Sequence, residues 1–343
     1  MTAGGPVQDR PEVRIDRSDV GRRVSVRRLS EFVDGRPVFR DSIGVLTSWD
    51  DHGLTVVPRT GEPVAFAEKL LVAGKVVPLF PARRAPLPAA GPIELQRTAA
   101  RGWPAVEQEP LGEWTLRASA GFTRRANSVQ ALGDPGLPTA DALAAVRDWY
   151  AARGLPAHVE VVEPGAPQDL RAELDRLGAG HAPTLVRTVP LAGLARAGSG
   201  HDRVRLSRTA DAAWLSLYRR VTGDQALEEA ASRVLHGGPS VWFATVPGAP
   251  GQPPLAIGRC VVDGPWAGFG AVEVAPRARR AGLATAVMAV LASRAAEEGA
   301  AGGYLQVEAD NTGAIALYDG LGFTTSHTYH YTLLPEGRHH PSE

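Results

Sequence analysis

Val272-Glu273-Val274-Ala275-Pro276-Arg277-Ala278-Arg279-Arg280-Ala281-Gly282-Leu283-Ala284 reads as a strand, a cationic turn and the start of a helix. Val272 and Val274 alternate with Glu273, as on a strand with one buried face, and Pro276, which has no N–H, ends the ladder. From Leu283 the apolar period changes. Leu283, Val287, Val290 and Leu291 fall at i, i+4, i+7 and i+8, which predicts a helix with one apolar face, closed by Gly299. The turn Arg279-Arg280-Ala281-Gly282 therefore sits at a helix N-terminus. Backbone N–H groups there are unpaired and carry the positive end of the helix dipole, which prepares the turn for a phosphate. Arg279 and Arg280 add charged donors, and a side chain at Gly282 would crowd a ligand lying on the backbone. The expectation is a pyrophosphate cradle. An Arg-x-x-Gly-x-Ala spacing arises about once by chance in a chain this rich in Arg, Gly and Ala, so its place between strand and helix gives it its weight.

The chain has 343 residues, more than one core usually organises, so two or three are expected. A hydrophobic content of 44% is that of an ordinary globular protein. The 37 basic residues balance the 37 acidic ones, which argues against nucleic acid as a partner. Only Lys69 and Lys75 are lysines, a skew toward arginine that lowers the weight of any isolated arginine. The single cysteine, Cys260, excludes an internal disulfide and fits a reducing compartment; a small apolar strand residue explains it better than a nucleophile. Residues 1–9 lack a basic start followed by an apolar core, no segment is long enough to span a bilayer, and no residue set has metal-ligand spacing. A soluble, cytoplasmic protein with no metal and no membrane contact is expected.

In chain order, residues 1–18 read as a loose tail. Residues 19–78 hold five short β-type runs, Arg23 to Leu29, Val38 to Ser48, Leu54 to Pro58, Val64 to Phe66 and Leu70 to Val77, separated by turn signals such as Asp34-Gly35 and Thr60-Gly61. They predict a small SH3-like β-barrel, with Arg22-Arg23 and Arg27-Arg28 as charged strand edges. Residues 79–92, rich in Pro and Ala, are a linker. Residues 93–195 form a second unit: strand pieces at Trp114–Arg117 and Asn127–Val129 around a polar turn at Gly121–Arg125, a helix from Thr139 to Ala152 with Thr139 as N-cap, a strand from Ala157 to Val162, a helix from Leu170 to Leu177 and a strand from Thr184 to Val189. Residues 203–335 form a third, with helices at Ala210–Val221 and Gln225–Leu235, strands at Val241–Val246, Leu255–Val262 and Ala267–Val274, the helix from Leu283, a strand at Tyr304–Glu308, a short helix begun by Asn311 and a last strand at His327–Leu333.

The two later units read as an internal repeat, with chance likeness of short helix–strand segments as the alternative reading. Ala172, Asp175, Leu177-Gly178, Thr184 and Thr188 fall in register with Ala316, Asp319, Leu321-Gly322, Thr328 and Thr332. Leu174 stands in the place of Tyr318, and Gly133-Asp134-Pro135-Gly136 in the place of the cationic turn, so the first copy keeps an architecture without the chemistry.

The turn, together with Asn311-Thr312-Gly313-Ala314-Ile315-Ala316-Leu317-Tyr318-Asp319-Gly320-Leu321-Gly322-Phe323 about thirty residues later, resembles the GCN5-related N-acetyltransferases. The resemblance is strong over residues 203–335 and weak over 93–195. With the expected barrel, the whole chain is similar to bacterial acetyltransferases that carry an SH3-like N-terminal domain. It implies an α/β (α+β) fold with a mixed sheet in tandem arrangement, and acetyl-CoA as co-substrate. Arg279, Arg280, Ala281, Gly282, Leu283, Ala284 and Thr285 would hold the pyrophosphate, Val272 and Val274 the pantetheine arm, and Asn311 a further CoA contact beside its role as helix N-cap. The position matching Tyr318 gives a proton to the departing thiolate. Its other reading is ring packing beside Ile315 and Leu317.

Acetyl transfer to an amine needs a neutral nitrogen and a proton for the leaving sulfur. Glu273, on the strand beside the expected thioester, and Glu308, on the same face of its strand as Gln306, are the candidate bases. Some relatives carry glutamate where this chain has Gln306. His327 and His330 read as neutral, hydrogen-bonded imidazoles. Two function classes stand: an acetyl-CoA-dependent N-acetyltransferase acting by direct attack on a primary amine of a small molecule or protein, and a non-catalytic acyl-CoA sensor or interaction protein. Tyr318 beside an intact turn favours the enzyme. The segment Trp114–Val129 is a candidate wall of the acceptor site; the acceptor itself and the oligomeric state are not legible.

Overall fold

The computed structural model describes residues 13–33, 35–58, 62–77, 87–177, 180, 182–218 and 224–335. The chain falls into two compact units, Met1–Arg83 and Arg84–Glu343.

The first unit is one six-stranded sheet: β1 (Val13–Arg14), β2 (Arg23–Val33), β3 (Arg36–Asp50), β4 (Gly53–Pro58), β5 (Val64–Phe66) and β6 (Leu71–Val76), in the order β1-β6-β2-β3-β4-β5. Alternating Val24 and Val26 on β2, Leu46 on β3, and Leu54 and Val56 on β4 point inward and, with Ile15 and Phe66, make its core. Two expectations change here. Val13–Arg14 belongs to the sheet rather than to a tail, pairing in parallel with Gly74 and Lys75 of β6. Among the described residues no closed barrel forms: β1 covers the outer edge of β6, and β1 and β5 remain the two ends of the order. Asp34, Thr60 and Gly61 of the expected turns lie outside the described residues.

The second unit opens with a helix where a linker was expected to end. Pro92 sits in the first turn of α1 (Pro92–Arg101), where its missing N–H costs nothing, and Leu95 and Ala99 are buried against Val162, Val186 and Tyr329. There follow β7 (Glu107–Leu111), β8 (Trp114–Ala118), β9 (Val129–Gln130), α2 (Thr139–Ala151), β10 (His158–Glu163), α3 (Gln168–Leu177), β11 (Thr184–Pro190) and α4 (Leu191–Leu194). The second half supplies β12 (Arg205–Ser207), α5 (Ala212–Leu217), α6 (Gln225–His236), β13 (Ser240–Val246), β14 (Ala256–Asp263), β15 (Trp266–Val274), α7 (Leu283–Glu297), β16 (Gly302–Glu308), α8 (Thr312–Gly320) and β17 (Thr324–Leu333). Asp211, Asp224 and Asn311 cap α5, α6 and α8 through side-chain oxygens. Thr139 does not cap α2: Pro138 takes that position, and the Thr139 hydroxyl donates to Asp169 at the start of α3. Of the expected helix Ala210–Val221, Ala212–Leu217 is helical and residues 219–221 lie outside the described ones.

All eleven strands of this unit join one sheet, ordered β12-β13-β14-β15-β16-β11-β17-β10-β9-β8-β7. The sheet runs unbroken across residues 195–203, and its centre is an exchange. β11, the last strand of the first half, pairs with β16 of the second; β17, the last strand of the second half, pairs with β10 of the first. Where β11 and β17 meet, Thr184 faces Tyr329 and Leu185 faces Thr328. The two threonines matched in the sequence repeat thus lie one residue from direct opposition on antiparallel strands.

α7 is buried more widely than one apolar stripe implies. It packs on β13, β14, β15 and α4. Ala286, Met288, Ala289 and Ala292 are therefore buried with Leu283, Val287 and Leu291, while Val290 is half-buried. Small alanines allow this close, many-sided packing. Cys260 lies fully inside the same core, and burial pushes its thiol well up, as for an inert apolar residue.

Candidate active site

β15 and β16 run parallel and are hydrogen-bonded from Trp266/Gly302 to Phe269/Leu305. Pairing stops there, although β15 continues to Val274 and β16 to Glu308. The cause lies on the other side of β15. Its register against β14 shifts between Ile257 and Arg259, and Ala271, opposite that shift, takes a left-handed φ of +50°. Such a bulge bends a strand and re-aims its side chains. The opening between the two strands holds a cavity of about 160 Å³.

Val272 and Glu273 of β15, Gln306 and Glu308 of β16, and Asn311 and Tyr318 of α8 line this cavity. Five of the residues singled out from the sequence thus converge at one place, with Gln306 beside them. Val274 and the turn Arg279–Thr285 are not among its walls; they follow the β15 wall directly along the chain. In that turn Arg280 has φ +65° and Gly282 φ +72°. Gly282 is the N-cap of α7, without a side-chain cap. The N–H groups of Leu283, Ala284 and Thr285 therefore face outward without a helical acceptor. A Cβ at Gly282 would meet nothing within 4 Å, so within the protein the demand for glycine comes from the left-handed backbone, and space is left over the turn.

Tyr318 is half-buried, with its ring edge-on to Phe323 at 5.7 Å. Burial raises its phenol above the ordinary value while the Arg125 guanidinium pulls the other way. The net shift is upward, which keeps the hydroxyl protonated and able to donate. Asn311 Oδ1 accepts from Ala314 N at 3.1 Å, the cap expected of it. Glu308 lies 3.4 Å from Arg124. Gln306 Oε1 accepts from Arg125 Nε and, at 3.3 Å, from the Tyr329 hydroxyl.

The lining also includes Trp103, Thr123 and Arg125 from the first half and Tyr218 and Arg259 from the second, so the polar turn of the first half reaches the cavity. Trp103 fits because Gly270 has no side chain: a Cβ there would stand 2.8 Å from the indole Cζ2. Nothing local in the sequence marks Trp103, Tyr218 or Arg259 as cavity residues; they arrive by sheet pairing and helix packing. Arg259 is fully buried under Trp103, 4.6 Å from its ring, and donates to the carbonyls of Leu235, Gly102 and Gly237 at 2.6, 2.8 and 2.8 Å. Burial lowers its pKa to about 10, and the α6 C-terminal carbonyls replace a counter-ion. His327 is also buried, bonded to Gln96 Oε1 at 3.1 Å. Among the described residues no three His, Cys, Asp or Glu side chains gather as a metal site, and no helix is long and apolar enough to cross a membrane.

A mixed sheet that splays over a cavity, followed by a glycine-bearing helix start, defines a fold of the GCN5-related N-acetyltransferase class. A GCN5-related N-acetyltransferase from Kribbella flavida has the same fold, with a TM-score of 0.52 at 17% identity over 73% of this chain and 98% of that one. Residues 93–332 match the family model described as "Probable histone acetyltransferase Rv0428c C-terminal", and the chain belongs to that family. The probable histone acetyltransferase Rv0428c of Mycobacterium tuberculosis is 30% identical over 318 residues, covering 91% of this chain and 94% of its own. The uncharacterized N-acetyltransferase YobR of Bacillus subtilis is 28% identical over 256 residues, covering 70% of this chain and 97% of its own. The protein is an N-acetyltransferase, and enzymes of this type use acetyl-CoA.

Proposed function

We propose that the protein moves the acetyl group of acetyl-CoA directly to a primary amine, with Tyr318 as proton donor and Glu273 or Glu308 as proton acceptor. The observation that carries this reading is the convergence of Glu273, Glu308, Asn311 and Tyr318 on one cavity at the open end of the β15–β16 pair. The uncapped N–H groups of Leu283, Ala284 and Thr285, with Arg279 and Arg280 beside them, suit the pyrophosphate, and the unpaired edge at Val272 and Val274 suits the pantetheine arm. Bound there, acetyl-CoA supplies the acetyl group and leaves as its thiol. A carboxylate at Glu273 or Glu308 takes a proton from the acceptor's ammonium, directly or through water, so that the neutral nitrogen can form the new C–N bond as the C–S bond breaks. Tyr318 Oη gives a proton to the departing sulfur and regains one from the nitrogen side. In sum, an ammonium and acetyl-CoA yield an amide, CoA thiol and one proton.

The first half reads as a second copy that lost this chemistry. It has Leu174 in place of Tyr318 and Gly133-Asp134-Pro135-Gly136 in place of the cradle, and the exchanged strands bring their matched threonines within one residue of direct opposition. Its retained work is to wall the cavity and lend β11 to the sheet. The single buried Cys260 agrees with a reducing, cytoplasmic setting.

CoA release measured over a library of amines tests the assignment. Turnover that falls about 10²-fold in Tyr318→Phe with unchanged acetyl-CoA affinity supports it. Binding without turnover for every amine, and no effect of the substitution, would instead make the protein an acyl-CoA sensor.

A further inference from the structure

Four charged side chains line the cavity: Glu273 and Glu308 on the splayed strands, Arg259 on β14 and Arg125 from the polar turn of the first half. The two arginines differ in what they have left to give. Arg259 spends its donors on four backbone carbonyls, those of Leu235, Gly102, Gly237 and Val234, and is structural. Arg125 donates through Nε to the neutral Gln306 Oε1, and Tyr329 also approaches it. Among the described residues no carboxylate stands within ion-pair distance of it, although its neighbour Arg124 has Glu308. A guanidinium has five N–H donors in a planar fork and does not lose its charge in a protein. A partly buried cation with donors to spare and no anion of its own is costly unless a ligand brings one. The pyrophosphate is not that ligand, since its cradle lies at the α7 N-terminus, outside the cavity walls.

We propose that the acceptor is a small zwitterion of amino-acid type, whose carboxylate sits on Arg125 and whose amine faces Glu273 and Glu308. The inference rests on the acetyltransferase reading of this cavity. Its lining offers both charges such a molecule needs: a guanidinium brought by the first half, held beside Gln306 of β16, and carboxylates on the two strands of the second. A volume of about 160 Å³ suits a molecule of that size and falls below the roughly 300 Å³ at which sites for drug-sized ligands begin. A lysine side chain on a protein brings no carboxylate to Arg125, so the surface of a basic protein is the poorer fit.

The test compares free amino acids with their methyl esters, the matching decarboxylated amines and a lysine-rich histone-tail peptide, in the full chain and in Arg125→Gln and Arg125→Lys. Acetyl-CoA affinity is measured alongside by calorimetry. The expected result is a preference of roughly 30-fold in kcat/KM for amines that keep their carboxylate, the size of one charge-assisted hydrogen-bonded pair. Arg125→Gln should remove most of that preference through KM while acetyl-CoA still binds. Arg125→Lys, which keeps the charge without the fork, should fall between the two and covers the case in which Arg125→Gln fails to fold. Preference for the esters, the decarboxylated amines or the peptide would overturn the inference, as would turnover of none of the panel or an equal loss for every acceptor in the Arg125 variants. Failure to bind acetyl-CoA would instead overturn the reading beneath it.

Discussion

Arg187 Nη2 on β11 lies 2.5 Å from Asp319 Oδ1 on α8, so a strand of the first half grips the helix that carries Tyr318. The same guanidinium donates to the carbonyls of Phe323 and Ile315 at 2.5 and 3.3 Å. Arg187 is buried and Asp319 exposed, which makes the carbonyl bonds weigh more than the ion pair. Arg187→Ala, which takes the guanidinium from the buried Phe323 carbonyl and from the half-buried Ile315 carbonyl, should cost about 2–3 kcal/mol in denaturant unfolding and lower kcat more than it raises KM for acetyl-CoA. Asp319→Asn should change stability by less than about 1 kcal/mol. Equal effects of the two substitutions would contradict this ranking.

Gly282 holds φ +72° in the turn proposed to bind the pyrophosphate, with open space where a side chain would go. Gly282→Val should therefore fold, at a backbone cost of about 1–2 kcal/mol, yet weaken acetyl-CoA by tenfold or more because the added methyl groups fill the ligand's space. Calorimetric titration checks this, and unchanged affinity would mean the cradle lies elsewhere.

The Arg117–Glu160 ion pair is 2.9 Å long with both side chains almost fully buried, and Glu160 also accepts from Gln96 and Gln130 at 2.9 and 3.0 Å. Removing one partner leaves a buried charge alone. Arg117→Met should lose about 3–5 kcal/mol, read from urea midpoints, whereas Arg117→Met with Glu160→Leu should recover much of it.

Burial holds the His327 imidazole down to about 4, against an ordinary 6.5, despite the opposing pull of Glu160. The unfolded chain thus takes up a proton below pH 6.5 that the folded protein refuses until about pH 4. The stability due to the neutral imidazole is full above pH 6.5 and is lost as the pH falls between these values, on the order of 3 kcal/mol. His327→Gln should flatten the decline of unfolding free energy across that window; an unchanged slope would show that His327 titrates normally.

Residues 203–335 carry every proposed catalytic group but lack β11, which sits between β16 and β17. Expressed alone, that segment should be poorly folded and bind no acetyl-CoA, while residues 84–335 should fold and bind it. Circular dichroism and calorimetry on the two fragments decide it.

Local order was legible from the residues because it is set by short-range rules. Val272 and Val274 alternate, Pro276 ends a ladder, Gly282 opens a helix and Asn311 caps one, so the strand–turn–helix and its partner motif could be placed from the sequence. Tyr318 could be singled out through the resemblance of its motif to the GCN5-related N-acetyltransferases, and Glu273 and Glu308 by their places on strands beside the thioester which that resemblance implies. Pro92 was a legible helix start as well, hidden by the Pro/Ala composition around it. Only the tertiary structure decided which elements meet. A strand's sequence states which face is buried but not which neighbour accepts its hydrogen bonds. The exchange of β11 and β17, the open order of the first sheet and the wall formed by Trp103, Arg125 and Tyr218 are long-range pairings of that kind. The proposed cradle could be read from one stretch, whereas the cavity needs both halves, because Trp103, Thr123 and Arg125 line it together with strand residues more than a hundred positions further along the chain.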